Sequence, residues 1–515
     1  MLVNKSFYPG PRSFSTVTSM QRQMEQLQLQ LASGKRFNSL AEYGTSRTHD
    51  LNLRARLGRI EGYEANVTTT ENRLSFLNNA IERLDEIEAD ARALAVPSAY
   101  GSDGLNMVNA SQQAGTMLKE VIDLLNTDIA GQFIFGGHVS DKRPLSSFDQ
   151  ILHGDAIGRA GFSQVATERK AADLGTAGLG RLTMDAGGTA TATLSEDGAH
   201  PFGFKLASMA GGGTYATISQ PNGTAPQSVG VTFTDVAALK AGDTITVGVT
   251  YPDDRNRVEY VTFTATTDDP PGKGQYLIGD TPEATAANFA AAMETKFADL
   301  GKTSMASAST AAAADNFFNT KGEPVLRVVD NAPDDPVALS ADTAYASTVR
   351  WYNGQVESTD PRGTVTTQID ETTRVRVGVT ADESGFATLI KTLASFAISD
   401  FTTTDNETSE ETAQKRAQFD AMSGIARVRL SEERNTTEGS IESIALELGL
   451  AAHTVGQVKT RHAEYGGQLK TMLAEIEQAP IEEVAMQLMT LRTRLEASFQ
   501  ATTMVSQLTL VNFLR

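Results

Sequence analysis

From Ile481 to the final Arg515 the chain repeats apolar or small residues at steps of three and four: Ile481, Val484, Leu488, Leu491, Leu495, Ser498, Thr502 and Val505. That spacing is the seam of a coiled-coil helix, which has to lie against another helix. The seam turns small and polar at Ser498 and Thr502, then ends in a dense apolar cluster of Met504, Val505, Leu508, Leu510, Val511, Phe513 and Leu514. So much apolar surface on one segment needs a cover, either the opposite end of the same chain or neighbouring copies of it.

The N-terminal segment has the matching rhythm. Phe14, Val17, Met20, Met24, Leu27 and Leu31 follow one another at steps of three or four, with Gln, Arg and Glu between them. This is an amphipathic helix. Ser33-Gly34 closes it, because glycine takes the left-handed conformation in which helices end. The residues expected to carry subunit packing are therefore Val17, Met24, Leu27 and Leu31 near one end and Leu488, Leu491, Leu495, Val505, Leu508 and Leu514 near the other.

A second helix is expected from Thr48 to Ala95, with a seam that includes Leu53, Leu57, Ile60, Tyr63, Val67, Leu74, Leu77, Ile81, Leu84 and Ile87. At about 1.5 Å per residue it extends roughly 70 Å, too long for a compact globule. A third helix, Leu105 to Ile129, leads into the run Gly131-Gln-Phe-Ile-Phe-Gly-Gly. Helical spacing returns at Ser384 to Phe396 and at Glu410 to Glu433. It is most regular in Ile441, Ile444, Leu448, Ala451, Val455, Val458, His462, Tyr465, Leu469, Met472 and Ile476. Pro480 separates that helix from the last one, since the residue before a proline avoids the helical region.

Between Leu145 and Val379 Gly, Thr, Ala, Ser and Asp dominate, and alternating runs appear at 229–234, 244–250 and 258–266. These are half-buried antiparallel strands separated by turns such as Ala241-Gly-Asp and Pro252-Asp-Asp. One helix, Thr285 to Leu300, is expected among them. The fold is then α+β. A long antiparallel helical coiled-coil bundle forms from both termini (1–145 and 381–515), with an inserted β-rich outer region at 146–380.

Forty-four basic against sixty-three acidic residues leave a formal charge of −19, which argues against a nucleic-acid partner. Cysteine is absent, so no thiolate nucleophile, thiolate metal site or disulfide framework arises. No run of about 18 apolar residues and no secretory-type leader is present, so neither membrane insertion nor export by a cleaved signal is expected. The glycines at 131–137 lack the Lys-Ser/Thr and the βαβ setting of a phosphate loop. His453 and His462 stand nine residues apart, where two ligands on one helical face need three or four. The acidic turns Pro252-Asp-Asp and Pro333-Asp-Asp-Pro lack a calcium-loop register and read as solvated. No catalytic, cofactor-binding or metal-ligating residue is assigned, and His462 reads as a polar residue tolerated on a seam.

Three segments carry a resemblance. Leu29-Gln-Leu-Ala-Ser-Gly-Lys-Arg-Phe-Asn-Ser is similar to the "L-S-S-G-K/L-R-I-N-S" segment of the axial proteins of the bacterial flagellum, the family of flagellin and the hook-filament junction protein. Gln132-Phe-Ile-Phe-Gly-Gly resembles the aromatic-glycine turn that closes that family's third helix. Leu495-Glu-Ala-Ser-Phe-Gln-Ala-Thr and Ser506-Gln-Leu-Thr-Leu-Val-Asn-Phe-Leu resemble its last helix, more closely in the junction protein's form. After Asn38-Ser39 flagellins continue Asp-Asp-Ala, whereas this chain has Leu40-Ala-Glu-Tyr-Gly, a departure from ordinary flagellin.

The resemblance implies a structural, self-assembling flagellar subunit outside the cell, exported unfolded through the flagellar type III channel, with no enzymatic activity and no cofactor. The implied partners are further copies of the chain, other axial proteins (hook-associated proteins, flagellin), and the export apparatus or a chaperone. The junction is the leading place, the main filament the alternative. An adhesive or phage-tail-like rod is the reading from another class, but its trimeric seam favours β-branched residues, and these seams are mostly leucine and methionine.

Overall fold

The computed structural model describes residues 10–39, 41–98, 105–320, 322–329, 338–355, 360–403 and 407–513, with side chains left undescribed at 10–14, 105–106 and 505–513. Val505 and Leu508 therefore fall where only the backbone is described, and Leu514 lies outside the described residues.

The helices are α1 (Gly10–Ser33), α2 (Arg47–Leu94), α3 (Leu105–Leu125), α4 (Phe148–His153), α5 (Phe162–Leu174) and α6 (Pro282–Lys302). They continue with α7 (Ser304–Phe317), α8 (Ser384–Ala397), α9 (Ser409–Arg429), α10 (Ile441–Glu477) and α11 (Ile481–Phe513). The strands begin with a short hairpin, β1 (Asp128–Ile129) and β2 (Gln132–Phe133). Next come β3 (Leu182–Asp185), β4 (Thr191–Glu196), β5 (Lys205–Gly211), β6 (Ala216–Ser219) and β7 (Ser228–Phe233). β8 (Thr244–Tyr251), β9 (Asp254–Thr266) and β10 (Gln275–Leu277) complete the sheets; β11 (Leu326–Val329) with β12 (Ala338–Ala341), and β13 (Thr366–Gln368) with β14 (Arg374–Arg376), form separate hairpins.

The chain divides into two compact units. The first comprises residues 1–71, 368–375 and 453–515, and the second comprises 72–367 and 376–452. In the first unit α1 packs on α11 through Leu27, Val484 and Leu491, with Met20, Met24 and Leu488 partly buried beside them. The first turns of α2 meet α10 through Leu53, Ile60 and Leu469. Both pairs run antiparallel. Gly34 at the end of α1 receives the Ala479 amide at the start of α11 across 2.9 Å, and along α2 the partner of Arg54 is Glu477 while that of Glu71 is Lys459.

The second unit holds two four-stranded sheets, in the orders β3-β4-β7-β6 and β10-β9-β8-β5. All pairings are antiparallel except β9 with β10, which is parallel. α6 covers a core common to both sheets, in which Phe289 stands edge-on to Phe233, Phe263 and Tyr276 at centroid distances of 5.9, 5.4 and 5.0 Å. Such T-shaped contacts add to the area these rings bury. The turn after β4 requires glycine: at Gly203, φ +72°, a Cβ would lie 2.4 Å from the Arg181 Cβ and 2.5 Å from the Gly180 carbonyl.

The middle of the chain is less purely β than its composition suggests. Besides the expected helix at 285–300, it contains α4, α5 and α7. α7 reads Ser-Met-Ala-Ser-Ala-Ser-Thr-Ala-Ala-Ala-Ala-Asp-Asn-Phe and is buried on nearly every side, against α5, α6, α8 and α9. Its small side chains let four helices approach it, and for the same reason it shows no apolar stripe. The third helix also stops at Leu125 instead of Ile129, because Asp128-Ile129 pairs with Gln132-Phe133 around Gly131, φ +83°.

Candidate self-association surface

The joint between α1, α10 and α11 organises the first unit. Gly34, φ +67°, ends α1, and the next residues turn antiparallel to the connection before α11, with the Arg36 amide 2.6 Å from the Glu477 carbonyl and Lys35 bridging Gln478. Pro480 then stands immediately before α11. These backbone bonds satisfy groups that two helix ends would otherwise leave unpaired.

From that joint the α11 seam is buried at only some of its expected positions. Val484, Leu491 and Leu495 are buried, and Leu488, Ser498 and Thr502 are partly buried, whereas Ile481 is exposed. On α1, Leu27 is buried and Val17, Met20 and Met24 are half-buried. Leu31 stands in solvent with Leu29. The structure thus brings Met24, Leu27, Leu488 and Leu491 into one cluster within a single chain and leaves Leu31 outside it.

The side of α11 away from α1 is also apolar. Met486 is 64% exposed, Met489 70% and Met504 64%. At about 100° per residue these three project from the face opposite Val484 and Leu491, and the exposed Ile481 and Phe499 lie together to one side, between that face and the seam. Methionine is a flexible apolar side chain suited to surfaces that pack against another protein. Among the described residues of one chain, one face of α11 is covered and this one is open.

Residues 368–375, although flanked by the second unit in sequence, sit on the α2–α10 pair of the first. Asn66 Nδ2 donates to the Gln368 carbonyl across 3.0 Å, and Arg461 pairs with the Asp370 carboxylate. Burial alone would push the Asp370 carboxyl up; the Glu371 backbone N–H and the Arg461 guanidinium outweigh it and hold it below the usual carboxylate range. His462 is buried on the α10 seam, its ring 5.9 Å from that of Tyr63 and its Nε2 3.0 Å from the Ile369 carbonyl. Spacing identified His462 as a seam residue but gave no sign that a distant hairpin supplies its partner.

In the second unit the aromatic-glycine run has a comparable joining role. Arg73 on α2 donates to the Ile134 carbonyl across 3.2 Å, and the Phe135 carbonyl accepts the Ala381 amide, ahead of α8, across 2.8 Å. Phe135 lies edge-on to Phe386 of α8 at 6.0 Å. At Gly136 a Cβ would lie 2.2 Å from the Val139 carbonyl oxygen, so only glycine fits there.

Long helices paired through apolar seams, one with a second apolar face left open, describe a structural protein, and the comparison with known families makes the description specific. Residues 12–140, spanning α1 to the β1–β2 hairpin, match the bacterial flagellin N-terminal helical region. That match supports a bacterial flagellin family member, and that family is structural and non-enzymatic. The family assembles into the extracellular flagellum. No curated protein matches the chain. Among the described residues no helix is long and apolar enough to cross a membrane.

Proposed function

We propose that this flagellar subunit self-assembles through α1 and α11 and works at the junction between hook and filament. The observation that carries the assembly reading is the two-sided apolarity of α11. Leu27, Leu488 and Leu491 hold α1 and α11 together, and the stripe of Met486, Met489 and Met504 meets neighbouring copies. Burial of apolar area at roughly 25 cal/mol per Å² has to outweigh the entropy lost on ordering the termini. Val17, Leu31 and Leu495 are assigned to the same packing, and so, from their sequence spacing alone, are Val505, Leu508 and Leu514.

In this reading 1–145 and 381–515 are the two halves of one antiparallel coiled-coil bundle, and 146–380 is its outer insertion. The C-terminal resemblance at 495–502 and 506–514 favours the junction; the flagellin match at 12–140 keeps the main filament as the second reading. Other axial proteins, the export apparatus and an export chaperone are the remaining proposed partners.

Electron microscopy of the purified chain, alone and with short filament seeds, tests this. Persistent monomers that add to seeds only as short plugs support the junction. Long helical tubes would make the chain a filament subunit instead, and no association under any condition would remove the assembly reading altogether.

A further inference from the structure

The turn Pro252-Asp-Asp that leads into β9 is not solvated at Asp253, whose side chain is only 7% exposed and faces Arg257 at 3.5 Å. From Val258 to Thr264 the strand pairs without a slip along β8, Val258 opposite Thr250 and Thr264 opposite Thr244. Backbone groups of an antiparallel strand point alternately to its two sides. The Ala265 N–H donates to the Asp243 carbonyl across 2.8 Å on the β8 side, and the Thr264 N–H to the Gly274 carbonyl across 3.0 Å on the β10 side. Val258, Tyr260 and Thr262 therefore direct their N–H and C=O groups to the β10 side, where β10 pairs only with Thr264, Ala265 and Thr266. Among the described residues no strand pairs with 254–262 on that side.

The opposite edge of the same sheet is closed by side chains. On β5 the Leu206 N–H donates to Glu196 Oε1 across 3.0 Å, and the Gln220 amide accepts from the Met209 N–H at 3.2 Å and donates to the Met209 carbonyl. Such covers keep an edge strand from pairing with another chain. The free edge of β9 has no proline, and on it Tyr260 is 68% exposed and Thr262 is exposed.

We infer that this edge is an interaction surface that takes the same edge of a second copy of the chain, antiparallel, about a two-fold axis at Val258. Val258 lies midway along 254–262, so this register pairs the whole free stretch with itself. A two-fold contact must be self-complementary. Here Arg257 of each copy falls opposite Glu259 of the other, on the side of the strand where the two already meet within one chain at 3.1 Å, and four alternating charges close a ring. Centring on Glu259 would set two carboxylates face to face, and centring on Tyr260 would set Arg257 against the fully buried Phe263. The stretch carries two acidic residues, Asp254 and Glu259, and two basic ones, Arg255 and Arg257, so two copies meet there without the repulsion expected of a chain of charge −19. This reciprocal match selects a second copy over the strand of another protein. The contact uses no residue of α1 or α11.

The chain has no cysteine, so single cysteines report the contact by oxidative crosslinking. The full chain carrying Met486→Asp and Met489→Asp keeps association through α11 out of the measurement. In that background Val258→Cys should give at least about fivefold more disulfide dimer than Ile157→Cys, a collision control on an exposed turn. Paired Val258 Cα atoms stand about 5.5 Å apart, within disulfide reach. The two Tyr260 positions are offset by four residues, about 13 Å, so Tyr260→Cys should stay at the collision level. Adding Tyr260→Pro to Val258→Cys removes an outward N–H and no bond to β8, and should return the yield to that level. Circular dichroism equal to that of the parent shows that each variant is folded, and the cysteine comparisons decide the matter should the proline variant unfold. A folded Val258→Cys chain that crosslinks no more than Ile157→Cys overturns the inference, whether the edge then stays bare or takes another protein's strand. So does stronger crosslinking at Tyr260→Cys than at Val258→Cys, or a yield that a folded Tyr260→Pro variant leaves unchanged.

Discussion

The Nε2–H of His462 donates to the carbonyl oxygen of Ile369 across 3.0 Å, in the middle of the α2–α10 seam. A carbonyl only accepts, so the proton sits on Nε2. A polar residue at a buried seam position is thereby satisfied by a hairpin tip that lies 93 residues earlier in the chain. His462→Ala leaves that carbonyl unpaired. Stability should fall by about 1–3 kcal/mol, and amide exchange should accelerate in 368–375 before the helices respond. Hydrogen exchange followed by mass spectrometry reads both.

Glu88 on α2 is buried beside Glu442, with Arg92 3.8 Å away and Asp85 on its own helix; Glu432 reaches Arg92 from the other side at 3.7 Å. Desolvation first, then repulsion from Glu442 and Asp85 against the pull of Arg92, raises its carboxyl to about 7. Burial likewise lifts Glu383 to about 7 against the attraction of Arg362, and Asp382 to about 6. A carboxyl raised on folding contributes stability that is fully present below its unfolded value and is lost as pH climbs through its folded value. The melting temperature should therefore fall as pH rises from about 4.5 to above 7 through these three groups. Glu88→Gln should melt higher than wild type at pH 8, match it near pH 4.5, and show a shallower slope between. A variant less stable than wild type at pH 8 contradicts this account of Glu88.

The two four-stranded sheets depend on Phe289, fully buried where α6 meets both of them. Phe289→Ala should cost about 3–5 kcal/mol in denaturant unfolding. Gly203→Ala tests the backbone instead: a methyl group 2.4 Å from Arg181 Cβ, in the left-handed region, should cost about 1–3 kcal/mol. A loss below about 0.5 kcal/mol at either site would contradict the packing described around it.

The terminal helices were legible because seam residues recur at steps of three and four over many turns, and their observed limits fall close to the expected ones: Arg47–Leu94 against Thr48 to Ala95, and Ile441–Glu477 against a seam ending at Ile476. α7 was not legible, since alanine, serine and threonine packed on all sides carry no periodic contrast. Asp253 was read as a solvated turn residue because burial by a distant helix leaves no mark in the local sequence. The spacing could not separate seam residues that close within one chain, such as Leu491, from one that stays open, Leu31, and it gave no sign of the exposed Met486 and Met489 on the opposite face of α11.

Leu491→Asp with Leu495→Asp places two carboxylates in the α11 seam. Export should continue, since an unfolded chain does not use the seam, while α1 separates from α11 and assembly is lost. Comparing secreted protein with sedimentable polymer in the culture medium checks both parts. Normal assembly of this variant would refute the packing role given to α11.

The most direct measurement spares that seam. Met486→Asp with Met489→Asp alters only exposed side chains, so helix content by circular dichroism should equal that of the wild type. Growth on seeds, followed by light scattering and electron microscopy, should fall below detection. Growth at the wild-type rate by this folded variant would contradict the claim that the open face of α11 is where neighbouring copies pack.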